Sequence, residues 1–301
     1  MRFSKNTILL SVLMYSTFSL VSVSHAADTL QRVKTSGKII IGYSESSEPV
    51  SYFANGKPQG YVIDTCNNIA NEIKKELQEP NLKIEYKKVT AEQRIPEIEA
   101  GHVDLMCDTT TNTKERQKEV DFSINYFAAE VRFAVKKDAQ IKDIQDLNDK
   151  IVSTTKSTTS EKHIARIEKL KNIQVTTSYG KSHADAFAML ESGKVVAFVQ
   201  NEAVLHDLIA KSGNAKDYKV IINGQPLAVE PYAIMFAKDN TKLKTIADTV
   251  ILNMWNSGQM DQLYKKWFQS PIPPNNINLN MPQSQIFKYL KAHPSSSGII
   301  L

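Results

Sequence analysis

Short apolar runs alternate with helical patterns along most of the chain. Residues 38–42 form an isoleucine-rich run typical of a buried strand. In the stretch that follows, apolar side chains recur at the spacing of one helix face: Val62, Cys66, Ile69, Ala70, Ile73 and Leu77. Similar strand-then-helix units recur from residue 82 onward and again between residues 151 and 210. This alternation predicts an α/β fold in which helices cover mainly parallel sheets.

Two long extended runs interrupt this rhythm, at residues 122–136 and 229–238, and they flank the second set of units. A chain that leaves one domain and later returns to it needs such a pair, so we interpret the runs as inter-lobe connections. The amphipathic pattern over residues 243–268 predicts a helix that packs back on the first domain. The proline-rich stretch 271–274 should end regular structure, and the tail to Leu301 is expected to run over the surface.

The N-terminus has the pattern of a secretory signal. Arg2 and Lys5 precede an uncharged, apolar and serine-containing stretch over residues 8–23, and Ser24-His25-Ala26 places small residues where a signal peptidase reads them. We therefore expect cleavage after Ala26 and a mature protein free in the periplasm. A membrane anchor is the alternative, but serines break the run, which is shorter than the ~20 residues needed to span a bilayer.

Charge and motifs exclude several function classes. The chain has 37 Lys and Arg against 32 Asp and Glu, a net charge of +5, which is too small for a nucleic-acid binder by charge alone. The sequence contains no glycine-rich phosphate loop, no paired metal-binding histidines and no nucleophile elbow. We therefore expect no cofactor, no metal and no catalytic residues.

Cys66 and Cys107 are the two cysteines of the chain, enough for one disulfide. Cys66 lies on the apolar face of a helix that should cover the sheet containing Cys107, and the exported compartment permits oxidation. We expect the two to pair. The alternative is two buried free thiols.

Hydroxyl side chains are concentrated at two predicted helix starts, Thr109-Thr-Thr-Asn-Thr113 and Ser157-Thr-Thr-Ser160. A helix N-terminus presents unpaired N–H groups and a partial positive charge, so it can hold a carboxylate. One such start on each side of the hinge predicts an anionic ligand between the lobes. Ordinary helix capping is the alternative.

Arg116, Arg94 and His183 also lie near predicted helix starts. A guanidinium at Arg116 could clamp a carboxylate with two parallel hydrogen bonds. Taken singly, each has another reading: a solvated charge for Arg116, a surface ion pair for Arg94 and a structural histidine for His183.

Several ordered blocks carry a family resemblance. They include Gln93-Arg-Ile-Pro96, Cys107-Asp-Thr-Thr-Thr-Asn-Thr-Lys-Glu-Arg-Gln117 and Lys266-Trp-Phe-Gln-Ser-Pro-Ile-Pro-Pro274. With these blocks the mature chain resembles the solute-binding proteins of polar amino-acid ABC transporters, of the glutamate/aspartate-binding type.

The resemblance implies a periplasmic-binding-protein-like (type II) α/β fold, with two lobes of parallel-rich sheets joined by two hinge strands. Residues 1–26 would be the signal peptide, 27–129 and 231–270 a discontinuous lobe 1, 130–230 lobe 2, and 271–301 a C-terminal surface tail.

The resemblance also implies roles for individual residues. Arg116 would bind the ligand α-carboxylate, with help from Thr109, Thr111 and Thr159.

Arg94 and His183 would face a side-chain carboxylate. Three positions depart from the acidic-amino-acid pattern: Ser44 stands where that type has arginine, Ala91 where it has serine, and Asn201 where the family usually has aspartate for the ammonium group.

Asn201 leaves the ammonium contact without a charged partner. Either Glu202 or Glu45 supplies that charge, or the ligand has no ammonium group.

The implied function is capture of a small carboxylate-bearing amino acid, glutamate, aspartate or a close relative, and its delivery to an ABC transporter permease by a monomer. Two alternatives remain at this point: binding of a non-amino organic acid, and a cyclohexadienyl dehydratase-like enzyme. The enzyme reading is disfavoured because Asn201 cannot transfer protons at neutral pH.

Overall fold

The computed structural model describes residues 28–222 and 224–301, so the predicted signal peptide lies outside the described residues. The helices are α1 (Thr29–Ser36), α2 (Tyr61–Glu76), α3 (Arg94–Glu99), α4 (Thr159–Lys171), α5 (His183–Glu191), α6 (Glu202–Lys211), α7 (Thr241–Asn256), α8 (Gln259–Phe268) and α9 (Gln285–Ala292). The strands are β1 (Lys38–Tyr43), β2 (Ser46–Ser47), β3 (Ser51–Ala54), β4 (Lys57–Gln59), β5 (Lys83–Lys88), β6 (Leu105–Cys107), β7 (Val120–Phe122), β8 (Phe127–Lys136), β9 (Lys150–Thr155), β10 (Val175–Gly180), β11 (Ala197–Asn201), β12 (Tyr218–Ile221), β13 (Ala228–Tyr232) and β14 (Met235–Ala237).

Lobe 1 is built on a five-stranded sheet of order β5-β1-β6-β14-β7. Strand β1 runs parallel to both β5 and β6, whereas β14 is antiparallel to its neighbours. The predicted apolar face of α2 is buried, including Cys66, which forms a disulfide with Cys107 at the end of β6. Their Cα atoms are 6.5 Å apart, so the bridge ties the covering helix to the sheet. A small hairpin sheet, β2-β3-β4, belongs to the same half of the molecule.

Lobe 2 is built on a second sheet of order β10-β9-β11-β8-β12, with β13 also paired to β8. Strands β10, β9 and β11 are parallel, and β8 runs antiparallel to β11. The predicted α/β, two-lobe architecture is confirmed, but the sheets are mixed and not mainly parallel, because β8 and β14 pair antiparallel with their neighbours. The two long extended runs contribute β8 and β13, which lie side by side with Tyr232 opposite Phe127.

The C-terminal third differs from the expectation in two places. The single helix predicted over residues 243–268 is two helices, α7 and α8, because Gly258 takes a left-handed conformation (φ +77°) between them. The tail after residue 274 contains α9, whose Phe287 is buried against Trp255 and Tyr264. The tail is therefore only partly a surface segment.

Beyond α9 the tail returns to the centre of the molecule. The Asn125 N–H donates to the Ser295 carbonyl (2.9 Å), and the Ile299 N–H donates to the Asn112 carbonyl (3.0 Å). These bonds hold the last residues against the segments that follow β6 and β7. Across residues 28–222 and 224–301, no helix is both long and apolar enough to cross a bilayer.

Candidate functional site

The two lobes meet where the segment after β6 faces the start of α4. Strand β6 ends at Cys107 and is followed by the threonine-rich segment, while β9 ends at Thr155 and leads into α4. The Thr111 and Thr159 hydroxyl oxygens lie 3.2 Å apart across this junction, and both side chains are buried. The predicted meeting of the two hydroxyl-rich segments is thus observed, at the carboxyl ends of strands, where α/β sheets bind ligands.

Arg116 lies on the first of these segments, in a different local structure from the one expected. The residues after Thr113 form one 3-10 turn, Arg116–Lys118, instead of a full helix. Thr113 Oγ1 accepts a hydrogen bond from the Arg116 backbone N–H (3.1 Å), and Arg116 Nη1 donates to the Thr111 carbonyl (2.9 Å). Burial and the nearby charge of Arg94 lower the pKa of Arg116 to about 10, so the guanidinium remains charged at neutral pH.

Arg94 begins α3 and is buried, with 4% of its side chain exposed. Its Nη1 donates to Thr110 Oγ1 (3.1 Å), and its Nη2 lies 3.2 Å from Asp108 Oδ2. The backbone N–H of Thr109 (2.6 Å) and its hydroxyl (3.2 Å) both donate to Asp108 Oδ1. Within the described residues Arg94 Nε is buried without a hydrogen-bond partner. The site therefore contains a buried carboxylate, Asp108, that the sequence analysis did not single out.

His183 is the first residue of α5 and is buried. Its Nδ1 lies 2.6 Å from Thr155 Oγ1 and 3.3 Å from Gln200 Nε2. Burial lowers the pKa of His183 to about 4, so the ring is neutral at physiological pH. Any contact with a ligand is then a hydrogen bond of a neutral imidazole and not an ion pair.

Asn201 ends β11 and is adjacent to a carboxylate that the sequence analysis missed. The Asn201 side-chain amide donates to Glu230 Oε2 (2.9 Å), which also accepts from Thr111 Oγ1 (2.9 Å). Glu230 Oε1 lies 2.8 Å from His163 Nε2. Burial alone would raise the pKa of Glu230, but hydrogen bonds from His163, Thr159 and Asn201 outweigh burial and lower it. Glu230 is thus ionised at neutral pH.

Neither Glu45 nor Glu202 occupies this position. Glu45 forms an ion pair with Lys88, and Glu202 Oε1 lies 3.5 Å from His206 Nε2. The charge behind Asn201 comes instead from Glu230, in the middle of β13. The sequence feature that could have identified Glu230 is its position as the one carboxylate in the extended run 229–238, which we interpreted as a connection between lobes.

Two cavities lie next to each other and share Arg94 and Ala91 in their linings. One cavity, of about 270 Å³, is lined by Ser44, Asp108 and His183, among others. Its volume is near the lower end of the ~300–1,000 Å³ range of ligand pockets. Ser44 is half-buried, and its hydroxyl accepts from Ser47 Oγ (2.9 Å).

The second cavity, of about 490 Å³, is lined by Arg116, Thr159 and Leu301, among others. The end of the C-terminal tail therefore reaches the region of Arg116. No group of three or more His, Cys, Asp or Glu side chains in the described part of the chain could hold a metal ion.

Comparison with known proteins places this geometry in a family. Residues 39–270 match the model of the bacterial extracellular solute-binding proteins, family 3. The chain is 39% identical over 272 residues to an L-glutamate/L-aspartate-binding protein of Pseudomonas aeruginosa, covering 90% of this chain and 89% of the relative. It is 35% identical over 275 residues to the glutamate/aspartate import solute-binding protein of Escherichia coli K12, covering 91% and 90%.

A solved structure shows the same architecture. It is an ancestral amino acid-binding protein, AncCDT-1, described as a precursor of cyclohexadienyl dehydratase. The match has a TM-score of 0.67 and 29% identity, covering 80% of this chain and all of that structure (100%). A family match over most of the chain and two relatives above 30% identity, on a two-lobe fold with a polar inter-lobe site, establish that this chain belongs to the bacterial extracellular solute-binding proteins of family 3.

Proposed function

We propose that the protein captures a small carboxylate-bearing amino acid between its lobes, glutamate, aspartate or a close relative, and delivers it to the permease of an ABC transporter. The observation that supports this most directly is the pairing of Thr111 with Thr159 across the lobe junction, beside the charged guanidinium of Arg116. These groups supply hydrogen-bond donors from both lobes and a positive charge from lobe 1. The relatives named for glutamate and aspartate agree with it.

The α-carboxylate would bind Arg116 and the start of α4. Arg116 donates to the Thr111 carbonyl through one Nη1 bond, so a bidentate carboxylate contact would use its other N–H groups. Thr159 is the first residue of α4, and Thr158 makes no side-chain cap, so the backbone N–H groups at this helix end can donate hydrogen bonds to an anion.

The ammonium group would contact Asn201. Because the Asn201 amide nitrogen donates to Glu230, its carbonyl oxygen is the atom that would accept from an ammonium. The ionised Glu230 carboxylate directly behind it adds favourable charge. This arrangement favours an α-amino acid over a non-amino organic acid.

We further propose that the ligand leaves unchanged and that the protein works in the periplasm after removal of residues 1–26. Glu230, the carboxylate nearest Asn201, is held on both oxygens by His163, Thr111 and Asn201, which suits a fixed charge better than a proton carrier. The test is to recover the ligand after prolonged incubation and analyse it by mass spectrometry. Conversion of the ligand would favour the enzyme alternative, and N-terminal sequencing of the exported protein should begin at Ala27.

A thermal-shift screen over the twenty amino acids and small dicarboxylates tests the binding function. A ligand present at 100 times its Kd adds about 2.7 kcal/mol, and each kcal/mol moves the Tm by ~2–4 °C for domains of 150–250 residues. Arg116→Ala should then weaken the best ligand at least ~30-fold, since losing a bidentate partner of a buried carboxylate costs ~2–5 kcal/mol. Lys118→Ala, which removes an exposed cation from the same turn, is the matched control. Near-native affinity in Arg116→Ala would contradict the assigned role.

A further inference from the structure

The smaller inter-lobe cavity is balanced in charge. Among the described residues its lining includes three basic side chains, Lys88, Arg94 and Lys181, and three acidic ones, Glu45, Asp108 and Asp185. His183 also lines this cavity, and it is neutral at physiological pH because burial lowers its pKa to about 4. A cavity meant to hold a second carboxylate would be expected to carry excess positive charge.

Asp108 is the acidic side chain that is buried in this lining, with 2% of the side chain exposed. Two donors from Thr109 hold its Oδ1, at 2.6 and 3.2 Å, so the carboxylate is fixed in orientation. Its other oxygen, Oδ2, lies 3.2 Å from Arg94 Nη2. The cation that should receive a ligand side-chain carboxylate is therefore already paired with a carboxylate of the protein.

The pair also offers complementary hydrogen-bonding groups side by side. Arg94 has only donors, and its buried Nε has no partner within the described residues. The Asp108 carboxylate has only acceptors. A primary carboxamide carries one oxygen that accepts and one nitrogen that donates, so it can satisfy both residues at once.

We propose that Asp108 and Arg94 together select a ligand whose side chain ends in a primary carboxamide, as in glutamine or asparagine, over the carboxylate of glutamate or aspartate. The amide oxygen would accept from Arg94, and the amide NH₂ would donate to Asp108. A ligand carboxylate would instead place acceptor against acceptor and negative charge beside Asp108, which is unfavourable in a buried cavity. This inference rests on the proposed function and specifies which close relative of glutamate and aspartate the site prefers.

The difference from the family pattern at Ser44 also favours a ligand with a neutral side chain. The resemblance to the glutamate/aspartate-binding type puts an arginine at this position, whereas here a neutral hydroxyl lines the cavity. The cavity thus has a neutral hydroxyl in place of one cation and contains one buried carboxylate, Asp108, and both features lower the affinity for an anionic side chain. A neutral amide is affected by neither.

The experiment is calorimetric titration of ligand-free protein with glutamine, glutamate, asparagine and aspartate at one pH and ionic strength. The wild type should bind the better amide at least ~10-fold more tightly than the matching acid, because the acid would leave a buried acceptor of Asp108 facing another acceptor. Asp108→Asn keeps an oxygen for the Thr109 donors but turns an NH₂ toward the ligand. It should shift the amide-to-acid ratio at least ~10-fold toward the acid.

Two further variants make the result interpretable. Asp138→Asn removes the same charge at an exposed position outside this cavity lining and should leave the ratio unchanged. Asp108→Ser offers a smaller acceptor for Thr109 and should also shift the ratio toward the acid, which covers the case in which Asp108→Asn does not fold.

The outcomes separate the two proposals. If the wild type binds glutamate or aspartate as tightly as the amide or more tightly, the amide inference is wrong while the capture of amino acids stands. If the wild type prefers the amide but both Asp108 variants keep its ratio, the role of Asp108 is wrong. If none of the four amino acids binds, the proposed function itself fails.

Discussion

The residues that distinguish this site are two buried carboxylates, Asp108 and Glu230, and each is neutralised differently. Asp108 is paired with Arg94, whereas Glu230 is held by hydrogen bonds from several neighbouring side chains. Because burying a lone charge is costly, both carboxylates require their partners to stay in place. Substitutions among those partners should therefore affect stability as well as ligand binding.

Asn201→Asp tests the environment of Glu230. The Asn201 amide nitrogen lies 2.9 Å from Glu230 Oε2, so an aspartate there would place two carboxylates in contact. Two carboxylates that share a site cannot both ionise without cost, and one of them takes up a proton. We expect the variant to lose ~1–3 kcal/mol of stability at pH 8 and to recover part of it at pH 5. The free energy of unfolding, measured by circular dichroism at both pH values, checks this. A variant as stable as the wild type at pH 8 would contradict the expectation.

His183→Gln tests the neutral state of the buried imidazole. The pKa of His183 is about 4 in the folded protein, against an ordinary value of 6.5. Between pH 6.5 and 4 the unfolded chain binds a proton that the folded protein excludes, so stability falls as the pH decreases through this window. The full effect is about 3 kcal/mol.

The measurement for His183→Gln is the free energy of unfolding in urea at pH 7 and pH 4.5. The variant should lose less stability between the two pH values than the wild type does. Equal pH dependence in His183→Gln and the wild type would show that His183 does not resist protonation.

At the scale of elements, the disulfide links α2 to β6, directly before Asp108 and the threonine-rich segment. The bridge joins residues 41 positions apart, and in the chain-entropy model a loop of that size contributes roughly 3–4 kcal/mol. Replacing both Cys66 and Cys107 by alanine should lower the free energy of unfolding by about that amount. Thiol titration of denatured, unreduced wild-type protein should find no reactive thiol, and two reactive thiols would exclude the bridge.

Elements with strong periodicity could be predicted from the sequence, and elements set by tertiary contacts could not. The buried face of α2 could be predicted because its apolar residues repeat at helical spacing. The break between α7 and α8 depends on one glycine conformation, which periodicity does not show. The burial of Phe287 depends on Trp255 and Tyr264, far away in sequence.

The candidate site shows the same difference between residues predictable from the local sequence and residues determined by tertiary contacts. Arg116, Thr111 and Thr159 were named from residue type and position, and the structure brings them together. Asp108 and Glu230 were not. The apolar run around Glu230 indicates that this residue is buried, but nothing local shows which side chains surround either carboxylate. Asp108 pairs with Arg94, which lies 14 residues earlier in the chain. Glu230 on β13 pairs with His163 on α4, which is far away in sequence.

At the scale of the whole molecule, three ion pairs among the described residues connect the lobes, and in all three the positive charge is on the same lobe. Lys156 Nζ on lobe 2 lies 3.0 Å from Glu92 Oε1 on lobe 1. Lys162 and Lys211 of lobe 2 likewise pair with Glu115 and Glu48 of lobe 1. In each pair the lysine belongs to lobe 2 and the glutamate to lobe 1, so opposite charges face each other across the junction.

These inter-lobe pairs predict that ligand release depends on ionic strength. The Lys156–Glu92 and Lys162–Glu115 pairs are exposed. Such pairs contribute ~0.2–1 kcal/mol each and are screened by salt, with a Debye length of about 8 Å at 0.15 M. Raising the salt concentration from 50 to 500 mM should therefore weaken binding of a net-neutral amino acid about threefold. Stopped-flow measurement of dissociation checks this, with the double variant Glu92→Gln, Glu115→Gln as the comparison. A salt effect as large in that variant as in the wild type would contradict the role of these pairs.

Because the attraction acts only when the lobes are close, screening it should speed opening more than it slows capture. The residence time of the ligand would then be set partly by the salinity around the protein. In dilute surroundings a captured molecule would stay bound longer, and in saline surroundings the protein would exchange its cargo more often.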